Sequence, residues 1–305
     1  MRKTFLGFFE FGSIGVDFFF VLSGFIIYWV HSKDEQGINH GVQYLKKRIV
    51  RIYPPFILIS ITLLIAYHIF PSLSQGNRNI GIITSLFLIP TPPLSPALSV
   101  SWTLMHEMLF YLIFLSLYFN RKLLFSFLLL WSVSIILVDF TSIQGITRTF
   151  ILNPHNFEFV LGVLAAIIIK KEQGNILQLI IGLIMFFLYV YFYQIIDLES
   201  KSLLLLKIYL GISFMLIVTG LCSIDDKIKY PKFLLLLGSA SYSIYLIHNP
   251  AISILNRIAQ KSLSYWYINP NIIFIMVAIS SIALGLIYFY IWENPMLKIL
   301  KKKIL

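Results

Sequence analysis

The sequence predicts an all-α, polytopic integral membrane protein, a helical bundle of nine spans. Three observations predict it. Of the 305 residues, 58% are hydrophobic and only 12% are charged, about half of the ~25% charge usual in soluble domains. Mean hydropathy is +0.86. Apolar runs of roughly 20 residues, the length that crosses a ~30 Å hydrocarbon core, recur from one end of the chain to the other.

In order, the spans are Ser13–His31, Tyr53–Phe70, Ser101–Phe119, Lys122–Phe140, Asn156–Ile169, Ile176–Ile195, Leu203–Cys222, Leu235–Ile254 and Ile272–Trp292. The fifth is short and needs extension upstream or burial in protein. Ile80 to Pro90 is too short to cross and reads as an interfacial or re-entrant piece. The prolines of Pro92-Pro93-Leu94-Ser95-Pro96 cannot continue a helix and predict a stiff loop leading to Ser101. Neither repeats nor a soluble domain interrupt the pattern, so residues 1–305 read as a single membrane domain.

The formal net charge is +11, from 24 Lys and Arg against 13 Asp and Glu. Alternate loops divide these cations unequally. Sixteen fall in one set: Lys33 with Lys46, Lys47, Arg48 and Arg51; Arg121 with Lys122; Lys170 with Lys171; Lys227, Lys229 and Lys232; and Lys298 with Lys301, Lys302 and Lys303. The other eight are Arg2, Lys3, Arg78, Arg148, Lys201, Lys207, Arg257 and Lys261. The positive-inside rule places the loop Ser32–Ile52 and the C-terminus in the cytoplasm, and the loop Pro71–Val100 on the opposite face. It also leaves the N-terminus outside, which one more helix upstream would repair. The basic excess reads as topology signal and contact with membrane lipids rather than nucleic-acid binding. The lone Cys222 excludes an intrachain disulfide and a cysteine-based metal site. No Walker loop, dinucleotide fingerprint, HExxH pair or nucleophile elbow is present, and no metal site is expected.

Four stretches carry polar residues where lipid-facing helices should not. In Ser101-Trp102-Thr103-Leu104-Met105-His106-Glu107-Met108-Leu109-Phe110-Tyr111, a histidine and a carboxylate sit side by side within a span. A charge at membrane depth costs roughly 2.5–3.5 kcal/mol on insertion scales, so Glu107 is a candidate catalytic group. Tyr111 lies four residues beyond Glu107 and can orient it, and Trp102 lies four before His106, placed to stack on a substrate ring. His106 is either a general base or a packed neutral histidine. In Tyr44-Leu45-Lys46-Lys47-Arg48-Ile49-Val50-Arg51, the two arginines share a helical face beside Lys47. They read either as a phosphate clamp or as a charge cluster that anchors a helix end. Asp17 and Gly24 are seven apart and share a face with Phe20 and Val21, for catalysis or for close helix packing. Ser241, Tyr245 and His248 form a stripe at i, i+4 and i+7, lining a polar cavity or joining helices. Glu158 and Glu293 lie near span ends and read as ion-pair anchors.

Taken together, these segments resemble the membrane acyltransferase family 3. The resemblance rests on Gly15-Val16-Asp17-Phe18-Phe19-Phe20-Val21-Leu22-Ser23-Gly24-Phe25, on Arg48-Ile49-Val50-Arg51-Ile52-Tyr53-Pro54, and on Ser101-Trp102-Thr103-Leu104 with Glu107 and Tyr111. It continues through Glu158 to Ala165 and Gly238 to His248. The Ser-Trp-Thr-Leu variant is most similar to the branch that acetylates bacterial exopolysaccharides. The resemblance implies a ten-helix protein of the bacterial inner membrane. It would move an acyl group, usually acetyl, from cytoplasmic acyl-CoA to a sugar hydroxyl of a lipid-linked or exported glycan. Acyl-CoA would be a co-substrate, with no permanently bound cofactor. Arg48, Arg51 and Lys47 would face the CoA phosphates. Glu107 would line the central cavity with Trp102 and Tyr111, and Ser241, Tyr245 and His248 would add polar lining.

One departure matters. The family carries an additional first helix with an arginine and a histidine, the latter proposed to activate the acceptor hydroxyl, and this chain begins after it. The expectation is a chain truncated at its N-terminus relative to the family, the activity of this form being open. His106, His248 and Asp17 join Glu107 as the candidates for chemistry that remain. Two other readings stand beside the enzyme: a non-catalytic remnant that assembles with another membrane protein, and a transporter-like component of polysaccharide export. The absence of two related halves in the sequence counts against the transporter.

Overall fold

The computed structural model describes residues 14–74, 78–195, 203–263 and 269–304. Ser13, the expected start of the first span, lies outside the described residues, as do Arg2, Lys3 and Lys201 of the charge comparison. The α-helices are α1 (Ile14–His31), α2 (Ile38–Ile69), α3 (Ile82–Phe87), α4 (Ser101–Phe114), α5 (Arg121–Val138), α6 (His155–Lys170), α7 (Ile176–Ile195), α8 (Leu203–Cys222), α9 (Lys232–Ser239), α10 (Ser241–Leu263), α11 (Pro270–Tyr288) and α12 (Asn294–Ile304). No strand forms among the described residues; one isolated bridge joins Ile80 to Ser95.

Seven of these segments are long and apolar enough to cross a membrane: Ile14–His31, Ile38–Ile69, Arg121–Val138, Thr147–Lys170, Ile176–Tyr193, Leu203–Cys222 and Asn271–Lys303. Two of the nine expected spans are not among them, each for a local reason. Ser101–Phe119 is a 14-residue α-helix, α4, tightened into a 3₁₀ turn over Leu115–Tyr118. Leu235–Ile254 is broken at Ala240, whose ψ of 3° ends α9 before α10 begins. Around that break, Gly238, Ser239 and Ser241 are weak helix formers, and Ser239 Oγ donates back to Leu235 O. The fifth span does extend upstream, through a π turn over Thr147–Ile151.

The expected loop Ser32–Ile52 is largely helix. Only residues 32–37 turn, and α2 then runs for 32 residues through both Pro54 and Pro55. Its basic first half is amphipathic: Gly41, Tyr44 and Ile52 are buried, while Lys46 and Lys47 are exposed. Lys and Arg are good helix formers, so the cluster that looked like a loop extends a span.

Two compact units partition the chain. Among the described residues, one holds Gln43–Met105 with the chain from Tyr230 onward; the other holds residues 14–42 with His106–Lys229. In the first unit, the prolines of α2 strip two amide donors from the helix and loosen its carbonyls. Aromatic donors meet the carbonyls around them: Tyr242 Oη donates to Ile52 O at 2.8 Å, Trp292 Nε1 to Pro54 O at 3.2 Å and Tyr288 Oη to Pro55 O at 2.6 Å. A π turn over Phe289–Glu293 joins α11 to α12 and carries Glu293 into this contact with zero exposure.

In the second unit, α1 and α6 cross at backbone contact. A Cβ at Gly24 would lie 2.1 Å from Phe159 O, and one at Gly162 would lie 2.0 Å from Val21 O. Only glycine permits that approach, the small-residue packing that joins helices in lipid. Around the crossing, Phe20 packs edge-on to Phe159 at 4.8 Å, and Phe110 stacks on Phe159 at 4.6 Å. Ile14, Val21, Leu210, Phe214 and Ile217 form a core between α1 and α8. The crossing fixes the register of α1 on α6, and with it the polar residues one or two turns away.

Candidate active site

In the first unit, Lys47, Arg48 and Arg51 of α2 line a groove of about 450 Å³ with Val50, and with Leu297 and Lys301 of α12. Among the described residues, four cations face it and no carboxylate does. Arg51 Nη1 donates to the buried Glu293 Oε1 at 2.5 Å, and its guanidinium lies 5.4 Å from the Tyr242 ring centre. Ser243 Oγ completes this network by donating to Glu293 Oε2 at 2.5 Å. Arg48 lies over the Tyr44 ring at 5.7 Å. Both guanidiniums are therefore backed by aromatic faces, which limits their rotation and points charge into the groove. Glu293 is the ion-pair anchor that its position at a span end suggested. Lys301, seen in the sequence only as tail charge, is the fourth cation.

The polar stripe of α10 faces two ways. Tyr245 Oη donates to Val100 O at 2.9 Å and lies 2.5 Å from Thr103 Oγ1, while Ser99 Oγ donates to Asn249 Oδ1 at 2.9 Å. These bonds tie α10 to the segment that opens α4. His248 Nδ1 lies 2.5 Å from Tyr245 O, so Nδ1 carries the proton and Nε2 keeps its lone pair. Ser241 is exposed, and the buried serine is Ser243, two residues on and so on the opposite side of α10. Trp102 is 36% exposed.

In the second unit, His106 and Glu107 are 4% and 8% exposed. Tyr111 Oη donates to Glu107 Oε1 across one helical turn. His106 Nδ1 meets Asn156 Oδ1 at 2.8 Å, and Asn156 Nδ2 donates to Phe150 O at 2.7 Å and to Ile151 O at 3.1 Å. The two carbonyls fix the amide's orientation, because the flipped form would set oxygen against oxygen. Nδ1 of His106 therefore carries the proton, and Nε2 is the basic nitrogen. The rings of Phe20 and Phe150, centred 6.0 and 4.9 Å from the imidazole, hold it in place. No local pattern singles out Asn156; its place at the start of α6, fifty residues from His106, makes it a partner.

Asp17 occupies a second buried cluster. Lys207 Nζ donates to Asp17 Oδ1 at 2.6 Å, His155 Nδ1 lies 3.7 Å from the same oxygen, and His155 Nδ1 is 3.3 Å from Glu158 Oε2. Asp17 is 1% exposed and Glu158 is fully buried. Lys207, counted in the sequence as a loop charge, is instead an interior counter-ion on α8. Glu158, read as a span-end anchor, lies in the bundle interior. Asp17, His155 and Glu158 offer ligand atoms within 4.8 Å of one another. The ammonium of Lys207 already supplies the cation that such a set would attract.

Comparison with known proteins adds a family. A family model described as an acyltransferase domain matches residues 2–290. Exopolysaccharide production protein ExoZ of Rhizobium meliloti (strain 1021) is 30% identical over 304 residues, covering 95% of this chain and 91% of that protein. Acyltransferase MdmB of Streptomyces mycarofaciens is 34% identical over 113 residues, covering 34% of this chain and 27% of that protein. No solved structure matches significantly.

Proposed function

Given that the chain belongs to acyltransferase family 3, we propose that it transfers an acyl group, acetyl in the simplest case, from cytoplasmic acyl-CoA to a sugar hydroxyl of an exported or cell-surface glycan. The observation that carries the donor assignment is the groove of Lys47, Arg48, Arg51 and Lys301, which among the described residues presents four cations and no acid. CoA bears a diphosphate and a 3′-phosphate, and guanidinium forks bind such oxyanions in pairs. The similarity to an exopolysaccharide production protein supports a glycan acceptor. The excess of cations on one set of loops supports a cytoplasmic groove and C-terminus.

The reaction needs an acceptor oxygen to bond to the thioester carbonyl carbon, the carbon–sulfur bond to break, and the hydroxyl proton to leave. We assign the base to His106, whose Nδ1 is turned to Asn156 Oδ1. Glu107, held by Tyr111, is assigned to orient the acceptor hydroxyl. The hydroxyl proton passes to the base and the departing thiolate takes up a proton, so CoA leaves as the thiol. His248, with its Nε2 likewise basic, is the alternative base. Asp17 acts at a distance, by fixing the Lys207 charge beneath α1.

Equilibrium binding tests the donor assignment. Full-chain protein in detergent should bind CoA, and Arg48→Ala should raise Kd about tenfold or more, the value of one charge-assisted hydrogen bond. Dephospho-CoA should bind more weakly than CoA. Equal affinity of the wild type and Arg48→Ala, with no salt dependence, would remove CoA from this groove.

A further inference from the structure

The far end of α2 carries a second pocket that the donor reading leaves unused. It encloses about 390 Å³ and is lined by Tyr67, His68, Ser74 and Arg78, with Leu64 and Ile80 as apolar walls. That volume lies within the ~300–1,000 Å³ of small-ligand sites. His68 follows Arg51 by seventeen residues on one helix. At ~1.5 Å per residue this is roughly 25 Å, close to the thickness of a hydrocarbon core. The two pockets of this unit therefore open about one membrane-core length apart along α2.

Arg78 identifies the chemistry. Its Nε is shielded from solvent and has no hydrogen-bond acceptor among the described residues, although the side chain lines the pocket. A buried donor left without a partner costs about 1–3 kcal/mol, a cost that an incoming acceptor would remove. Among the described residues, no acidic side chain lines the pocket to serve. The C-terminal carbonyls of α2 oppose an anion here, and His68 in the last turn of that helix offsets them. Arg257 of α10 braces the wall, donating from Nη1 to Ser72 O at 2.9 Å and from Nη2 to Leu73 O at 3.2 Å. The walls of Leu64 and Ile80 suit a chain that enters from lipid.

We infer that this pocket binds the phosphate of a lipid-linked glycan, Arg78 pairing with the oxyanion and Tyr67 and His68 bonding its remaining oxygens. This deepens the acyltransferase reading and rests on it for the identity of the acceptor. It places the acceptor's anchor about one bilayer core away from the CoA groove.

The test is binding rather than turnover. Full-chain protein in phosphatidylcholine nanodiscs is titrated with a polyprenyl diphosphate-linked hexose, with phosphatidylglycerol and with inorganic diphosphate, and bound ligand is counted by native mass spectrometry. The polyprenyl diphosphate sugar should bind tightest. Arg78→Gln should weaken it at least tenfold, Arg78→Lys should recover part of the loss, and both variants should bind CoA as the wild type does. A wild-type affinity for the sugar lipid in Arg78→Gln, or equal binding of phosphatidylglycerol, overturns the proposal. Arg78-dependent binding of the sugar lipid by a chain that shows no acyl transfer would sink the enzyme reading and leave this site standing.

Discussion

Replacing Lys207 by Met removes the ammonium that lies 2.6 Å from Asp17 Oδ1. Asp17 is 1% exposed and its partner side chain 14%, so water cannot take the place of the lost cation. Glu158, fully buried, then shares the site with an uncompensated Asp17 carboxylate, with the His155 ring beside both. Removing one member of a buried pair costs about 3–5 kcal/mol, because the other charge stays behind. In a protein of this size, 1 kcal/mol shifts the melting temperature by about 2–4 °C. Lys207→Met should therefore melt on the order of 10 °C lower in detergent. The double variant Asp17→Asn with Lys207→Met discards both charges and should recover to within about 1–2 kcal/mol of the wild type. Thermal unfolding followed by circular dichroism measures all four corners of this cycle. Additive losses, or a Lys207→Met protein as stable as the wild type, would refute the buried pair and the packing of α1 on α8 that creates it.

Three other outcomes follow from the geometry. Gly24→Ala sets a methyl 2.1 Å from Phe159 O, so α1 and α6 must part at a cost of about 1–3 kcal/mol; a melting curve checks this, and an unchanged midpoint denies the close crossing. His106→Ala should lower kcat by about 10²–10⁴-fold, and Asn156→Ala should follow it in part, since the imidazole loses its fixed tautomer. Acyl-transfer rates at saturating acyl-CoA separate this effect from donor binding, which neither change should touch. Arg51→Ala should both weaken CoA binding and destabilise the protein, because Glu293 at zero exposure loses its cation; Arg48→Ala should affect binding alone. Paired binding and melting measurements distinguish the two arginines.

Most of the architecture was legible because membrane helices advertise themselves by length and apolarity. What the sequence hid was contact between distant residues. Lys207 reads as one more cation near a loop until α8 packs on α1 and brings it to Asp17. Asn156 lies fifty residues from His106, and no local periodicity links an amide to an imidazole across that gap. The basic half of α2 was masked by its charge: Lys46 and Lys47 suggest a loop, whereas the buried Gly41, Tyr44 and Ile52 keep helical spacing beneath them. The break at Ala240 was obscured by the apolar run on its N-terminal side, although Gly238, Ser239 and Ser241 are poor helix formers. The Glu107–Tyr111 pair was accessible, since a four-residue spacing on a helix nearly determines the contact. Glu293 was noticed but underrated; its zero exposure follows from the π turn, which no residue pattern announces.

The most direct measurement is transfer of labelled acetyl from acetyl-CoA to glycan in membranes that carry the full chain, comparing the wild type with the Arg48→Ala, Arg51→Ala double variant. Loss of two charge-assisted contacts to the donor, about 1.5–3 kcal/mol each, should cut transfer at subsaturating donor by about 100-fold or more. Labelling that stays at the wild-type level in the double variant, or a wild-type chain that leaves the glycan unlabelled, would contradict acyl transfer from CoA at this groove.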